Sequence, residues 1–143
     1  MEKRALIIDD SRANRMVLQR MLVAFGFATV ESENALDAIW KLNNGEDIAL
    51  ITVDYNMPKM TGTQFVRVVR EKPELKDIRI LMITSDNTMQ RRDEALQAGA
   101  NEFLVKPFSS EMIAEKLAVL GFELNAAPEA NSQTANPDDP FAQ

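Results

Sequence analysis

The sequence contains no cysteine and no histidine, and these two absences remove several kinds of chemistry at once. Without cysteine the chain has no disulfide, no thiolate metal site and no cysteine nucleophile. Without histidine it lacks the commonest general base and the commonest metal ligand of proteins. Any bound metal must therefore be held by oxygen atoms, which favours a hard cation such as Mg²⁺.

Long apolar runs and clusters of basic residues are missing as well. No apolar stretch could span a bilayer, and the run at 5–8 is too short for the core of a signal peptide. Lys and Arg are scattered, so there is no basic footprint for a nucleic acid, and most of the net charge of −6 lies in residues 122–143. We therefore expect a cytoplasmic protein that neither binds nucleic acid nor inserts into a membrane.

Strand-like apolar runs alternate with segments of helical period. The runs are 5–8, 27–31, 48–53, 78–83 and 101–105, and helical segments follow at 11–25, 35–43, 61–71, 88–98 and 109–120. This alternation predicts βαβ units, and hence an α/β domain with a five-stranded parallel sheet and five helices. A chain of 143 residues suits one such domain.

Apolar residues inside the helical segments predict which face of each helix is buried. In the first segment the predicted inward stripe is Val17, Leu18, Met21, Leu22 and Phe25. The third segment turns Phe65, Val66 and Val69 inward by the same reasoning. The only tryptophan, Trp40, falls on the outer face of the second helix.

The carboxyl-terminal segment differs in character from the rest. Residues 122–143 are acidic and contain proline, and from Asn125 onward they have almost no large apolar side chain. Such a segment cannot bury enough surface to offset the entropy of ordering. We therefore predict a domain over 1–121 and a disordered tail over 122–143. A docking segment anchored by Phe141 is the alternative.

Polar side chains follow four of the predicted strands at their carboxyl ends. They are Asp9 and Asp10 after the first strand, Asp54 after the third, Thr84 after the fourth and Lys106 after the fifth. Polar groups at the carboxyl ends of parallel strands form the usual ligand crevice of an open α/β sheet. We expect these five side chains to share one site.

The chemistry of this set points to phosphoryl transfer. Three carboxylates in one crevice repel one another, whereas a magnesium ion would keep all three ionised and would also bind phosphate oxygens. Lys106 adds a compact positive charge and Thr84 a hydroxyl donor. Phosphoryl transfer needs positioning and charge neutralisation more than proton chemistry. Asp54 is the best candidate for the nucleophile, because its strand is flanked by the others.

Four motifs in the sequence resemble those of a known protein family. They are Leu6 to Ser11 with Arg15, Asp54 to Met60 with Gly62, Met82 to Thr84, and Ala98 to Phe108. In this order and strand context the chain resembles the receiver domains of two-component response regulators, and within them the stand-alone chemotaxis regulators of the CheY type. The resemblance covers 1–121. It implies the flavodoxin-like, doubly wound strand order 2-1-3-4-5, for which CheY is itself a standard example.

The resemblance also implies a role for each site residue. Asp54 would be the phosphoacceptor. Asp10, Asp54 and the backbone carbonyl of Asn56 would bind Mg²⁺, or Mn²⁺ in its place, and Asp9 would act through water. Lys106 and Thr84 would contact the phosphoryl group.

A conformational switch and its partners follow from the same resemblance. Thr84 and Phe103 would form the switch pair, and the Lys106–Pro107 peptide bond would be cis. The phosphoryl donor would be a histidine kinase or a histidine phosphotransferase. The expected output is protein binding by a monomer, through the face of the fourth helix, fifth strand and fifth helix. That face includes Arg91, Arg92, Phe103 and Lys116.

Two departures from the family pattern concern aromatic residues. Tyr55 follows the phosphoacceptor where the chemotaxis regulators have tryptophan, so Trp40 is expected to report phosphorylation poorly. Phe103 replaces the more familiar switch tyrosine and cannot donate a hydrogen bond.

Two other classes of protein remain open at this stage. One is a magnesium-dependent hydrolase of the haloacid-dehalogenase type, which would place Asp-x-Asp after the first strand, whereas this chain has adjacent aspartates there. The other is a pseudo-receiver that binds partners without taking phosphate, which the complete acidic set and Lys106 disfavour. We expect a signalling protein, and no enzyme that acts on an external substrate.

Overall fold

The computed structural model describes residues 3–125, which form five strands and five α-helices in strict alternation. The elements are β1 (Lys3–Ile8), α1 (Arg12–Ala24), β2 (Phe27–Ser32), α2 (Ala35–Asn43), β3 (Leu50–Asp54), α3 (Gly62–Arg70), β4 (Arg79–Thr84), α4 (Met89–Ala98), β5 (Glu102–Val105) and α5 (Ser110–Val119). A short 3-10 turn over Pro73–Leu75 follows α3. The predicted alternation is confirmed. None of the helices within 3–125 has the length and apolarity needed to cross a membrane.

The strands form one parallel sheet in the order β2-β1-β3-β4-β5. This confirms the α/β class predicted from the alternation and the strand order implied by the resemblance. In the register of the sheet, Ile8 at the end of β1 lies beside Val53 of β3, and Asp54 lies beside Ile83 of β4. The carboxyl ends of the central strands therefore meet at one edge, where the predicted site residues follow them.

Each helix begins at a residue whose side chain caps it. A hydroxyl or amide oxygen accepts a hydrogen bond from a backbone N–H of the first turn, which otherwise has no partner in the helix. The capping residues are Ser11, Asn34, Thr61, Thr88 and Ser109. At the end of α4, Gly99 adopts the left-handed conformation, with φ of 119°.

The sheet separates two apolar layers. Helices α2, α3 and α4 cover one face, where Phe65 and Val66 are fully buried, and helices α1 and α5 cover the other, where Leu22 and Leu117 are. The inward face predicted for α3 is confirmed, since Val69 is buried as well.

The inward stripe predicted for α1 was wrong at one position. Leu18, Leu22 and Phe25 are buried, but Val17 is 50% exposed. Successive residues of a helix are turned by about 100° from each other, so a narrow stripe that contains Leu18 leaves Val17 facing solvent. The outward position predicted for Trp40 is confirmed, because that side chain is 63% exposed.

The chain continues beyond α5 as a packed segment. The ring of Phe122 contacts that of Phe27 edge to face, with the two centroids 5.2 Å apart. Leu124 joins the same apolar layer, and the backbone N–H of Asn125 donates to the carbonyl of Phe25. The first four residues of the predicted tail thus lie against the domain, and residues 126–143, with Phe141, lie outside the described residues.

One arginine joins several loops at the amino-terminal edge of the sheet. The guanidinium of Arg70, at the end of α3, donates to five acceptors on the connections before β4 and β5: the carbonyls of Gly99 (3.0 Å), Leu75 (3.2 Å), Lys76 (3.2 Å) and Ile78 (2.8 Å), and Asn101 Oδ1 (2.8 Å). Arg70 therefore connects the end of one helix to the beginnings of two strands.

Candidate functional site

Three carboxylates meet where β1 and β3 end. One oxygen of each of Asp9, Asp10 and Asp54 lies within 4.8 Å of the others. The register that sets Ile8 beside Val53 brings the ends of these strands together. Asp9 and Asp54 are buried, and Asp10 is exposed. The predicted grouping of these three residues is therefore present in the structure.

Lys106 is the cation that faces this cluster. Its Nζ lies 2.7 Å from Asp54 Oδ1 and 3.6 Å from Asp9 Oδ2. The backbone positions it, because the Lys106 N–H donates to the carbonyl of Thr84 at 2.8 Å. The following peptide bond, Lys106–Pro107, is cis. One lysine and three carboxylates leave the site with an excess of negative charge.

The turn after β1 is held by its own hydrogen bonds. Asp9 Oδ1 accepts from the backbone N–H of Ser11 at 2.8 Å. Arg15 Nη1 donates to the carbonyl of Asp9 at 2.7 Å, and Arg15 Nε donates to Glu31 Oε1 at 2.9 Å. Arg15, which the motif analysis included without a role, thus anchors the turn that carries Asp9 and Asp10.

Thr84 and Phe103 lie on neighbouring strands behind the cluster. Thr84 is completely buried, and its Oγ1 accepts from the backbone N–H of Asp86 at 3.1 Å. Phe103 is only 7% exposed and belongs to the apolar layer under α2, α3 and α4. Its ring is thus part of the core in this structure, although the expected partner-binding face included it. Asn56 is exposed in the loop after β3.

One contact beside the site was not predicted from the sequence. The guanidinium of Arg91 lies over the ring of Tyr55, with 3.6 Å between its carbon and the ring centroid. Arg91 also forms ion pairs with Asp86 and Glu94. Neither spacing nor motif signals this stack, because Tyr55 and Arg91 are brought together only by the packing of α4 on the sheet.

The electrostatics of the cluster oppose the ionisation of Asp54. Burial raises the pKa of the Asp54 carboxyl, Asp9 and Asp10 raise it further, and the hydrogen bond from Lys106 opposes these effects without cancelling them. Burial alone would lower the pKa of Lys106, but Asp54 and Asp9 outweigh it and raise that pKa.

These residues fit a divalent metal ion. All the available donors are oxygens, which suits Mg²⁺ better than a metal that prefers nitrogen or sulfur. The pKa of Asp54 is raised by burial and by the neighbouring carboxylates, and a divalent cation would oppose both effects by stabilising the ionised form.

The raised pKa of Asp54 predicts how stability depends on pH in the absence of metal. When the pKa of a carboxyl is higher in the folded than in the unfolded chain, its ionisation destabilises the fold. For Asp54 the free energy of unfolding therefore falls as the pH rises from the ordinary pKa of 3.8 to the higher pKa of the folded state. We expect Asp54→Asn to raise the melting temperature by a few degrees at pH 7 in EDTA. The gain should vanish below about pH 4, where Asp54 is protonated in both states.

Thermal melts of both proteins from pH 3 to pH 8 measure this effect. Added Mg²⁺ should stabilise the wild type more than Asp54→Asn, because only the wild type keeps the full donor set. A variant that is less stable than the wild type at pH 7 in EDTA would contradict the electrostatic account.

A family model and several known proteins match the chain. The model described as "Response regulator receiver domain" matches residues 5–118. The chemotaxis protein CheY1 of Helicobacter pylori is 36% identical over 116 residues, which cover 80% of this chain and 94% of that protein. The chemotaxis protein CheY of Pseudomonas aeruginosa is 37% identical over 113 residues, covering 78% of this chain and 90% of that protein.

The structural comparison agrees with the sequence comparison. The solved structure of the chemotaxis response regulator CheY4 of Vibrio cholerae superposes with a TM-score of 0.78 at 30% identity, and the match covers 84% of this chain and 99% of that one. A putative response regulator from Chloroflexus aurantiacus has a TM-score of 0.79 at 22% identity, which shows the same fold.

Proposed function

This chain belongs to the response regulator receiver domain family, and from that premise we propose that it is a single-domain response regulator, phosphorylated on Asp54. The observation that carries the proposal is the buried Asp54 carboxylate, with Asp9 and Asp10 beside it and Lys106 Nζ 2.7 Å from its Oδ1. The phosphoryl donor is a histidine kinase or a histidine phosphotransferase, and the relatives point to chemotaxis as the signalling process.

In the proposed reaction Asp54 is the nucleophile. One of its carboxylate oxygens bonds to phosphorus as the P–N bond to the donor histidine breaks, and the electron pair of that bond stays on the donor's imidazole. Such a transfer depends on positioning and on neutralising the phosphoryl oxygens. Lys106 supplies one positive charge there, and the carboxylates of Asp54 and Asp9 raise its pKa although burial alone would lower it.

A metal ion would complete the neutralisation. We propose that Asp10, Asp54 and the backbone carbonyl of Asn56 hold Mg²⁺, with Asp9 acting through water and Mn²⁺ able to substitute. The bound ion supplies charge stabilisation for the phosphoryl oxygens and lets the carboxylates stay ionised. The all-oxygen cluster of Asp9, Asp10 and Asp54 supports this assignment.

We propose that phosphorylation acts on Thr84 and Phe103. A phosphoryl group adds roughly two negative charges and three acceptor oxygens at Asp54. The Thr84 hydroxyl would donate to one of these oxygens, and the Phe103 ring would repack behind it. Both side chains are buried in this structure, so such a change alters packing and reaches the surface through α4, β5 and α5.

The site has a neighbouring cleft that suits a phosphoryl donor. A cleft of about 300 Å³ is lined by Asp9, Lys106 and Phe108 and by the exposed side of α1 at Val17. We propose that the kinase or phosphotransferase docks here.

A downstream protein then binds the face of α4, β5 and α5, where Arg92 is exposed and Lys116 pairs with Glu102. We propose that this receiver, residues 1–121, is a monomer in the cytoplasm.

One mass spectrum tests the proposed function. Incubation with acetyl phosphate and Mg²⁺ should add one labile phosphoryl group to the wild type and none to Asp54→Asn. EDTA should abolish the adduct. No adduct on the wild type, or an adduct that persists in Asp54→Asn, would refute the assignment. Turnover of p-nitrophenyl phosphate that is lost in Asp54→Asn would instead indicate an enzyme with an external substrate.

Trp40 gives a prediction about the fluorescence signal. Its ring is 63% exposed on α2 rather than adjacent to the phosphoacceptor, where Tyr55 stands. We expect acetyl phosphate and Mg²⁺ to change tryptophan emission by less than about a tenth, because the surroundings of an exposed ring barely change. A Tyr55→Trp variant should give a clear change in the same titration. A large magnesium-dependent quench of the wild type would contradict the expectation.

A further inference from the structure

We propose that Arg91 is a positioning residue that ties the loop after Asp54 to the loop after Thr84 and resists the activated arrangement of the site. The inference rests on the proposed function, because it concerns how readily the Thr84 hydroxyl can turn to a phosphoryl group on Asp54. The loops in question are 55–61, between β3 and α3, and 85–88, between β4 and α4.

On the first loop the tie acts at Tyr55. This residue directly follows Asp54, and its backbone is fixed on both sides: its N–H donates to the carbonyl of Ile83 at 2.9 Å, and its carbonyl accepts from the Gly62 N–H at 2.9 Å. The half-buried ring therefore stands in a fixed place next to the phosphoacceptor. The guanidinium of Arg91 lies 3.6 Å from the centre of that ring.

On the second loop the tie acts at Asp86. Asp86 Oδ2 lies 3.4 Å from Arg91 Nε, and Asp86 Oδ1 accepts from the backbone N–H of Thr88 at 3.0 Å. The backbone N–H of Asp86 in turn donates to Thr84 Oγ1 at 3.1 Å. Arg91 thus holds the residue whose amide engages the hydroxyl that phosphorylation is proposed to recruit.

The contact between Arg91 and Asp86 is an ion pair without an aligned hydrogen bond. Among the described residues, the buried Nε of Arg91 has no hydrogen-bond partner, because Asp86 is within ion-pair distance but not aligned to accept. A buried N–H without a partner costs free energy. The unphosphorylated arrangement is therefore held mainly by the stack of Arg91 on Tyr55 and by its charge attraction to Asp86.

A consequence for binding follows from the two-state description. If the contacts of Arg91 stabilise the unphosphorylated arrangement, only a small fraction of the protein is in the activated arrangement. A ligand that binds the activated arrangement then has an apparent affinity reduced in proportion to that fraction. Loss of the Arg91 contacts should raise the fraction of protein in the activated arrangement. Beryllofluoride, which mimics the phosphoryl group on aspartate, measures it without any covalent step.

The experiment titrates beryllofluoride into the full chain at saturating Mg²⁺, followed by amide NMR. Arg91→Gln should bind at least about threefold more tightly than the wild type. Arg91→Lys should bind with an affinity between those of the wild type and Arg91→Gln, since lysine keeps the charge but lacks the planar group that stacks on tyrosine. Arg67→Gln, an equal charge change at an exposed arginine of α3, is the matched control and should leave the affinity unchanged.

Two further measurements separate this role from a merely structural one. The Mg²⁺ affinity without beryllofluoride should be the same in all four proteins, because Arg91 is not proposed as a ligand. In Tyr55→Leu, the additional substitution of Arg91 should have little further effect. Equal or weaker beryllofluoride binding by Arg91→Gln and Arg91→Lys, with the wild type binding normally, would overturn this inference alone. No binding by the wild type would overturn the proposed function itself.

Discussion

Replacing Gly62 with alanine is expected to lower the free energy of unfolding by about 3 kcal/mol, since forced overpacking of a core commonly costs 1–3 kcal/mol and occasionally more. A methyl group at this position would lie 2.7 Å from the backbone carbonyl oxygen of Asp54, 2.8 Å from the sulfur of Met82 and 3.0 Å from the Cα of Tyr55. Two of these atoms are backbone atoms, of Asp54 at the end of β3 and of Tyr55 directly after it, so they cannot move away cheaply. Urea denaturation measures the loss.

The same substitution should also impair the site. The clash falls on the carbonyl of Asp54 itself, so relief of the clash displaces the phosphoacceptor. We therefore expect Gly62→Ala to slow phosphorylation by acetyl phosphate as well as to destabilise the fold. Gly45→Ala is the control, because a methyl group there has open space and only the left-handed backbone, with φ of 91°, opposes it. That costs about 1 kcal/mol and should leave phosphorylation unchanged. Equal effects of the two substitutions would contradict the steric argument.

Replacing Arg70 with alanine is expected to cost about 2–3 kcal/mol, because a hydrogen bond from a charged donor contributes about 1.5–3 kcal/mol and the acceptors here are only partly buried or exposed. The guanidinium donates to five acceptors at the amino-terminal edge of the sheet, three of them within 3.0 Å. Asn101 Oδ1 accepts from the Ile80 N–H as well, so loss of Arg70 also loosens the start of β4. The result should appear as a lower urea midpoint with cooperative unfolding retained.

Two variants control the interpretation of Arg70→Ala. Arg70→Lys keeps the charge but offers a single nitrogen in place of the planar fork, so it should recover little of the lost stability. Arg67→Ala removes an exposed arginine of the same helix and should change stability by less than about 0.5 kcal/mol. A full recovery with lysine would show that charge, and not the fork of donors, holds these loops.

Patterns in the sequence were sufficient for the parts of this molecule that depend on local chemistry. The βαβ alternation and the inward face of α3 follow from side-chain preferences that act over a few residues. The meeting of Asp9, Asp10, Asp54 and Lys106 also follows, because parallel strands necessarily bring their carboxyl ends to one edge. The order of the strands did not follow from these patterns and came from the resemblance.

Contacts between distant side chains were not predictable in the same way. The stack of Arg91 on Tyr55 depends on the position of α4 relative to the sheet, which no periodicity encodes. The five acceptors of Arg70 are mostly backbone carbonyls, and these carry no signal in a sequence. The exposure of Val17 shows the opposite limitation: an apolar residue next to a buried stripe looks internal until the width of the stripe is known.

The sheet order has a consequence for how the chain folds as it is synthesised. Strand β1 is paired with β2 on one side and with β3 on the other, and β3 begins only at Leu50. No two strands over 3–125 form a hairpin, so every pairing must close a long crossover first. A nascent chain that has released β1, α1 and β2 from the ribosome therefore exposes the unpaired edge of β1, whose last four residues are all apolar and buried in the folded domain. Until β3 emerges, that edge is the part of the molecule most open to aggregation.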